Sequence, residues 1–224
     1  MARFSAFIIA AALLAAGPAL AAPTPARIRG TIAGVHGDTL TVRTAEGATL
    51  PIHLTAKTAF REVTRSTLDH VAPGSYIGTA TKSVGGKLIA LEVLIFPPAM
   101  KGVGEGHYPW DRIQDTTRPG HASTASSMTN GTVAAAPATV TTSMTNGTVA
   151  ATAGAAGGKQ ITVTYAGGKQ TVIVPPTAPI VTLLPGTRAE LKKGAPVFVA
   201  GARAGGKVTA LAVNVGIDGV RPPM

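Results

Sequence analysis

The sequence Gly-Gly-Lys-Leu-Ile-Ala-Leu-Glu-Val at residues 85–93 returns as Gly-Gly-Lys-Val-Thr-Ala-Leu-Ala-Val at residues 205–213. In each copy, two glycines typical of a tight hairpin are followed by residues that favour a strand. Each copy closes a longer unit that opens with Gly-Thr-(Ile or Val)-Ala, at residues 30–33 and again at 147–150. The sequence therefore predicts two related small domains in tandem.

Alternating apolar and polar residues run through the first unit, as expected for strands with one buried face. A short helical turn is predicted at residues 67–71, ahead of the Ala-Pro-Gly at 72–74. Three strands, a helical turn and two more strands is the order of a small closed barrel of the OB type. We therefore predict an all-β fold with an OB-like β-barrel over residues 27–97. The predicted strands cover residues 28–35, 39–44, 48–54, 75–82 and 88–96.

A second OB-like β-barrel is predicted over residues 147–216, followed by a tail at 217–224. The two units are joined by an irregular, aromatic-containing linker (98–127) and a duplicated strand segment (128–146). The nonamer Ser-Met-Thr-Asn-Gly-Thr-Val-Ala-Ala occurs at residues 127–135 and again at 143–151. The second copy aligns with the opening of the first unit, which makes the first copy a spare or swapped strand.

The first 21 residues have the layout of a secretory signal peptide. Arg3 precedes an apolar run, and the small residues of Ala19-Leu20-Ala21 suit cleavage by a signal peptidase. The apolar run is shorter than the roughly 20 residues that span a bilayer, so a membrane anchor is the weaker alternative. The chain has no cysteine, which excludes disulfides and thiolate metal sites. We expect a periplasmic or secreted bacterial protein that does not span the membrane after signal cleavage.

The balance of charge is basic. Twenty lysines and arginines oppose ten acidic residues, and Arg3 lies in the predicted signal peptide, so the mature chain has 19 basic residues against 10 acidic ones, or +9. A basic exported protein attracts acidic partners over a long range, which makes an envelope protein or an anionic envelope component the expected partner class. Basic residues are scattered and aromatics are only 4% of the chain. We therefore expect no nucleic-acid binding, which needs a basic groove with stacking aromatics.

No catalytic motif is apparent, and we expect the protein not to be an enzyme. Residues 201–207 match the spacing of a phosphate-binding loop, but Val208 follows where a Ser or Thr is needed. The lysine of this match also enters a predicted strand instead of a helix. A Gly-x-Ser-x-Gly elbow and a His-Glu-x-x-His motif are both absent from the sequence.

The linker contains the best candidate site. It holds the only Trp, and the candidate residues for binding a ligand or partner are His107, Tyr108, Trp110, Asp111 and Arg112. One interpretation is surface recognition by this segment. The other is an aromatic plug, in which Tyr108 and Trp110 cover a barrel end or fill the space between the domains, with His107 and Asp111 as hydrogen-bonding support.

A divalent-metal site is a further alternative for the same stretch. Imidazole and carboxylate ligands suit divalent cations, although the spacing here matches no established motif. No other cofactor is expected. The candidate ligands are Glu105, His107, Asp111 and His121, with Asp115 as a further carboxylate nearby.

The Gly-Thr-Ile-Ala opening, the turn at residues 68–74 and the Gly-Gly-Lys-x-x-Ala-Leu-x-Val ending together resemble bacterial exported OB-like domains of unknown function. The resemblance covers both units, although the second departs from the pattern at its helical turn. Gly-His-Tyr-Pro-Trp-Asp at residues 106–111 is similar to a stretch in some proteobacterial members. The resemblance implies no catalytic residues. The expected function is a non-enzymatic periplasmic binding or interaction protein, with a structural module of an envelope complex, or a divalent-metal accessory protein, as the alternatives.

Overall fold

The computed structural model describes residues 22–120, 122–140 and 158–223. It confirms the predicted all-β class, because the helical elements among the described residues are three short 3-10 turns, at Leu68–His70, Pro98–Met100 and Arg188–Glu190, and the other elements are strands. The predicted signal peptide and the second copy of the nonamer lie outside the described residues. The strands are β1 (Thr24–His36), β2 (Thr39–Thr44), β3 (Thr49–His53), β4 (Ala59–Arg65), β5 (Tyr76–Val84), β6 (Lys87–Ile95), β7 (Gly106–Gln114), β8 (Ser123–Val133), β9 (Ala138–Val140), β10 (Gly158–Tyr165), β11 (Gly168–Val174), β12 (Ile180–Pro185), β13 (Pro196–Ala204) and β14 (Lys207–Gly216).

The Gly-Gly pairs of the repeated sequence at 85–93 and 205–213 form hairpins, as the sequence predicts. Gly85 and Gly86 connect β5 to β6 with φ of 55° and 76°, and Gly205 and Gly206 connect β13 to β14 with φ of 53° and 77°. A two-residue turn with positive φ at both positions matches the twist of the flanking strands, and glycine adopts it without steric cost.

Strand pairing closes a first ring of five strands, which we call ring 1. β1 pairs with β2, β2 with β3, β3 with β14, β14 with β13, and β13 with β1. The closing pair is parallel and joins Ile52 and His53 of β3 to Val208 and Thr209 of β14. Ring 1 thus takes three strands from the first unit and two from the second.

Ring 2 takes two strands from the first unit and three from later in the chain. β8 pairs with β5 and with β10, β10 with β11, β11 with β6, and β6 with β5. Its strands β5 and β6 come from the first unit, and β8, β10 and β11 follow later in the chain. The two units have therefore exchanged their last two strands, whereas the sequence predicts that each unit completes its own barrel.

A pair of central strands joins the rings. β4 and β12 pair antiparallel with Val63 opposite Leu183, and each also pairs parallel with a ring strand, β4 with β14 and β12 with β6. Val63 and Leu183 are 120 positions apart (63 to 183), the same spacing that separates β5 from β13 (76 to 196). The two halves are therefore related by an approximate two-fold axis that passes by this residue pair.

The buried apolar residues of the described ranges form three cores, one in each ring and one between the rings. The core of ring 1 includes Leu40, Val42 and Val199, and that of ring 2 includes Ile77, Val93 and Val163. The 3-10 turns contribute Leu68 to the core of ring 2 and the following Leu191 to the core of ring 1. The helical turn of the second unit is thus present, with a capping box between Thr187 and Glu190. A third core between the rings contains Val63, Tyr76, Leu91, Leu183 and Phe198.

The predicted irregular linker contains two long strands. β7 and β8 form an antiparallel pair over most of residues 106–130, because hydrogen bonding to β5 through β8 organises a segment that has little alternation of its own. Residues 127–133 of the first copy of the nonamer lie in β8, and this strand takes the place in ring 2 that β1 takes in ring 1. It is thus a ring strand, and not a spare. Among the described residues, no helix has the length and apolarity needed to cross a bilayer.

Candidate functional site

β7 carries the predicted site residues across the junction of the two rings. Alternation along the strand places Tyr108 and Trp110 on one face, where both pack against the core between the rings. Their rings meet edge to face, with 5.9 Å between centroids. Burial raises the pKa of Tyr108, and the positive charge of Arg27 partly offsets this rise. The two aromatic residues are therefore part of the packing between the rings.

Asp111 connects β7 to ring 1. Its carboxylate accepts hydrogen bonds from Arg27 Nη1 at 3.1 Å and from Arg29 Nη1 at 2.9 Å. The two arginines lie two residues apart on β1 and so extend from the same face. The sequence indicates this spacing, but not that Asp111, more than 80 positions away, is the partner of both arginines.

Cation–π contacts reinforce this connection. The guanidinium of Arg27 lies 3.9 Å from the centroid of Trp110, and that of Arg29 lies 5.0 Å from the centroid of Phe198. Trp110 Nε1 and Arg29 Nη2 are both buried with no hydrogen-bond partner in the described part of the chain. We call Arg27, Arg29, Trp110, Asp111 and Phe198 the clamp, since they hold β7 against ring 1.

The remaining predicted residues contact other parts of the chain. His107 Nδ1 lies 2.8 Å from Thr129 Oγ1 on β8, and Arg112 donates to the carbonyl of Ser123 at 2.8 Å. His107 is half-buried, whereas Arg112 is exposed. The sequence predicts that they share one site with Trp110 and Asp111, and in the structure each forms a hydrogen bond within the β7–β8 pair.

The candidate metal ligands also have separate partners. Glu105 accepts a hydrogen bond from the backbone N–H of Ala166 at 2.8 Å, whereas Asp111 is engaged by the two arginines of the clamp. Over the described ranges, no three His, Asp or Glu residues are grouped as a metal would require. His121 lies outside the described residues.

We predict that Asp111→Ala lowers the free energy of unfolding by about 1–2 kcal/mol. The substitution removes two ion pairs of partly exposed groups, each worth about 0.2–1 kcal/mol, and leaves two arginines without their partner. Urea denaturation measures the loss. Asp38→Ala is the matched control, because it removes the more exposed pair between Asp38 and Arg188. Equal losses in the two variants would contradict a stabilising role of the clamp.

A buried ion pair lies at the other end of β7, where sequence reasoning identified no pair. Lys82 Nζ donates to Asp115 Oδ2 at 2.7 Å and to Thr117 Oγ1 at 2.5 Å. The side chains of Lys82 and Asp115 are only 7% and 6% exposed. Asp115 also accepts from the backbone N–H and the hydroxyl of Thr117. The pair therefore attaches the β7–β8 connection to β5.

The Lys82–Asp115 pair predicts a specific acid sensitivity. Burial alone would raise the pKa of Asp115, but hydrogen bonds from Lys82 and Thr117 outweigh it and hold the pKa below the ordinary 3.8. A lowered folded-state pKa means that the stabilisation is present above pH 3.8 and is lost as the pH falls through the folded-state value. Urea midpoints measured against pH should fall steeply below pH 3.8, and less steeply in Asp115→Asn. Parallel curves for the two proteins would contradict this assignment.

The predicted site residues of β7 thus make two sets of contacts, through the clamp to ring 1 and through hydrogen bonds to β8. The described part of β7 pairs with β8 along one edge only. Pro109 in this strand has no backbone N–H, and the register with β8 is irregular between Trp110 and Ile113. Searches with this chain found no matching family model, no matching curated protein and no matching solved structure.

Proposed function

We propose that this protein is an exported, non-enzymatic interaction protein built from two OB-like β-barrels, and that it needs no cofactor. In this proposal rings 1 and 2 are the two barrels, interleaved by strand exchange, and the signal peptide directs the chain to the periplasm or the exterior. Its partner is an envelope protein or an anionic component of the envelope. The net positive charge of the mature chain, which favours acidic partners, supports this choice.

The observation that carries the proposal is the position of β7 across both rings. Hydrogen bonds join it to β8 of ring 2, and the clamp joins it to β1 of ring 1. Pro109 and Arg112, two of its exposed residues, are thereby held on a rigid support at the junction of the rings. A preorganised surface loses little conformational entropy when a partner binds, and this supports recognition by the outer side of the segment.

Site-specific photo-crosslinking in the exporting bacterium tests the proposal. A photoreactive residue at Pro109 should give a discrete crosslinked adduct in the envelope fraction. The matched control is Thr49, an exposed residue on β3 of ring 1, which should give none. No adduct from either position, or the same adduct from both, would contradict recognition by the β7 segment.

A purely structural module of an envelope complex is the second candidate, and the clamp favours it. Trp110 and Asp111 are engaged within the chain, as the aromatic-plug interpretation requires. Trp110 fluorescence separates this candidate from a metal-binding protein. A blue-shifted emission that does not respond to zinc, copper, nickel or manganese is expected for either proposed role. A saturable change that is lost in His107→Ala would instead identify a metal-handling protein.

A further inference from the structure

A polar cleft of about 400 Å³ opens beside the buried Lys82–Asp115 pair. Lys82 lies on the face of β5 that carries Tyr76 and Ala80, which pack into the core between the rings and not into the core of ring 2. The cleft is therefore outside ring 2. None of the residues of the clamp lines it, so it is separate from the surface proposed above.

The ion pair at the base of the cleft is not a requirement of this fold. The position in β13 that corresponds to Lys82, 120 positions later, is Ala202, and the strand forms there without a buried cation. Replacing a buried ion pair by apolar residues of similar size is often neutral or stabilising. Apolar residues could therefore hold the β7–β8 connection over this position equally well, and the use of a charged pair there is better explained by what the cleft holds.

The charges in the cleft do not balance. Asp115 neutralises one cation, Lys82, while Arg118 adds a second positive charge whose Nε is 3.8 Å from Asp115 Oδ2. Arg118 has a side chain 47% exposed and lies beside the opening. The two hydrogen bonds of Lys82 use two of its three N–H donors. The cleft therefore has an excess positive charge and unused donor capacity.

The remaining lining is rich in hydroxyl groups. Five of the ten lining residues are serines or threonines, and no aromatic residue is among them. The hydroxyls of Thr81 and Ser126 already donate to backbone carbonyls, so the donors for a ligand are those of Ser83, Thr124 and Ser127. Such a surface does not suit an apolar ligand, which needs aromatic and aliphatic walls. An arginine fork with hydroxyl donors beside it suits the oxygens of a phosphate or a carboxylate.

We propose that this cleft is an oxyanion-binding site, in which Arg118 contacts the bound phosphate or carboxylate group and the Lys82–Asp115 pair forms its rigid base. Asp115 orients Lys82 so that its remaining N–H faces the ligand. Thr117 fixes the carboxylate through its own backbone and hydroxyl bonds. The site goes beyond the proposed function, since none of the residues that line it belongs to β7.

Calorimetric titration of the full mature chain with inorganic phosphate and, separately, with acetate tests this site at constant ionic strength. At least one of the two should bind saturably, and the stronger of the two identifies the ligand chemistry. Arg118→Gln should weaken that binding about tenfold or more, because it removes a charge-assisted hydrogen bond. Arg43→Gln, at an exposed arginine on β2 of ring 1, should leave it unchanged.

Three outcomes would overturn the assignment. The first is the absence of saturable binding of either anion. The second is equal weakening by Arg118→Gln and Arg43→Gln, which would indicate general attraction to a basic surface. The third is binding that Arg118→Gln leaves unchanged. Since Arg118 is half exposed, its substitution leaves the fold intact, and unchanged urea midpoints verify this for each variant.

Discussion

Gly131→Val is expected to reduce the free energy of unfolding by about 3 kcal/mol or more. A Cβ at Gly131 would lie 2.2 Å from the carbonyl oxygen of Thr164 and 2.9 Å from a methyl group of Val163. The oxygen belongs to the backbone of β10, so it cannot move without breaking the strand pairing that closes ring 2. Gly30 meets the corresponding obstacle in ring 1, where a Cβ would lie 2.1 Å from the carbonyl oxygen of Arg43. Urea or thermal unfolding measures the loss.

Gly34 on β1 is a matched control for this prediction. A Cβ at Gly34 would lie 3.7 Å from its nearest neighbour, Nε2 of His36, which is an ordinary contact. Gly34→Val is therefore expected to change the stability by less than about 1 kcal/mol. Equal losses in Gly131→Val and Gly34→Val would contradict a steric clash between Gly131 and β10.

Leu91→Ala is expected to cost about 2–5 kcal/mol of unfolding free energy. Leu91 is fully buried in the core between the rings, beneath the connection from β7 to β8, where Thr116 donates to its carbonyl oxygen at 2.6 Å. Truncation would remove its apolar contacts and leave a cavity. Chemical denaturation, with the slope checked for two-state behaviour, measures the change.

Leu211 is the control that the repeat itself provides. It corresponds to Leu91 in the Gly-Gly-Lys-x-x-Ala-Leu-x-Val sequence, yet it is 64% exposed. Leu211→Ala should therefore change the stability by less than about 0.5 kcal/mol. Similar losses for Leu91→Ala and Leu211→Ala would show that the two faces are covered alike, and would contradict the asymmetric packing of β7 and β8.

The candidate site could be predicted from the sequence only in part. The unusual composition of the linker identified Tyr108, Trp110 and Asp111 as a group, and these three do lie together at the junction of the rings. The arginine partners on β1 could not be predicted, because alternation indicates the face of a strand but not what lies against it. For the same reason the Lys82–Asp115 pair, formed across 33 positions, had no sequence signal beyond the residue types.

The sequence by itself determined the all-β class, the positions of most strands, the Gly-Gly hairpins and the repeat. These are local properties, set by side-chain alternation and by the steric freedom of glycine. Only the tertiary structure decided which strands pair. The hairpins β5–β6 and β13–β14 have similar sequences at their ends. Their sequences therefore do not indicate which of the two hairpins pairs with the earlier strands of a given unit. The pairings within the rings define the exchange, and β4 and β12 connect the rings by continuing from one towards the other. The tertiary structure also decided which side chains are buried. Leu91 and Leu211 have similar neighbours in sequence, but other parts of the chain cover Leu91 and leave Leu211 exposed.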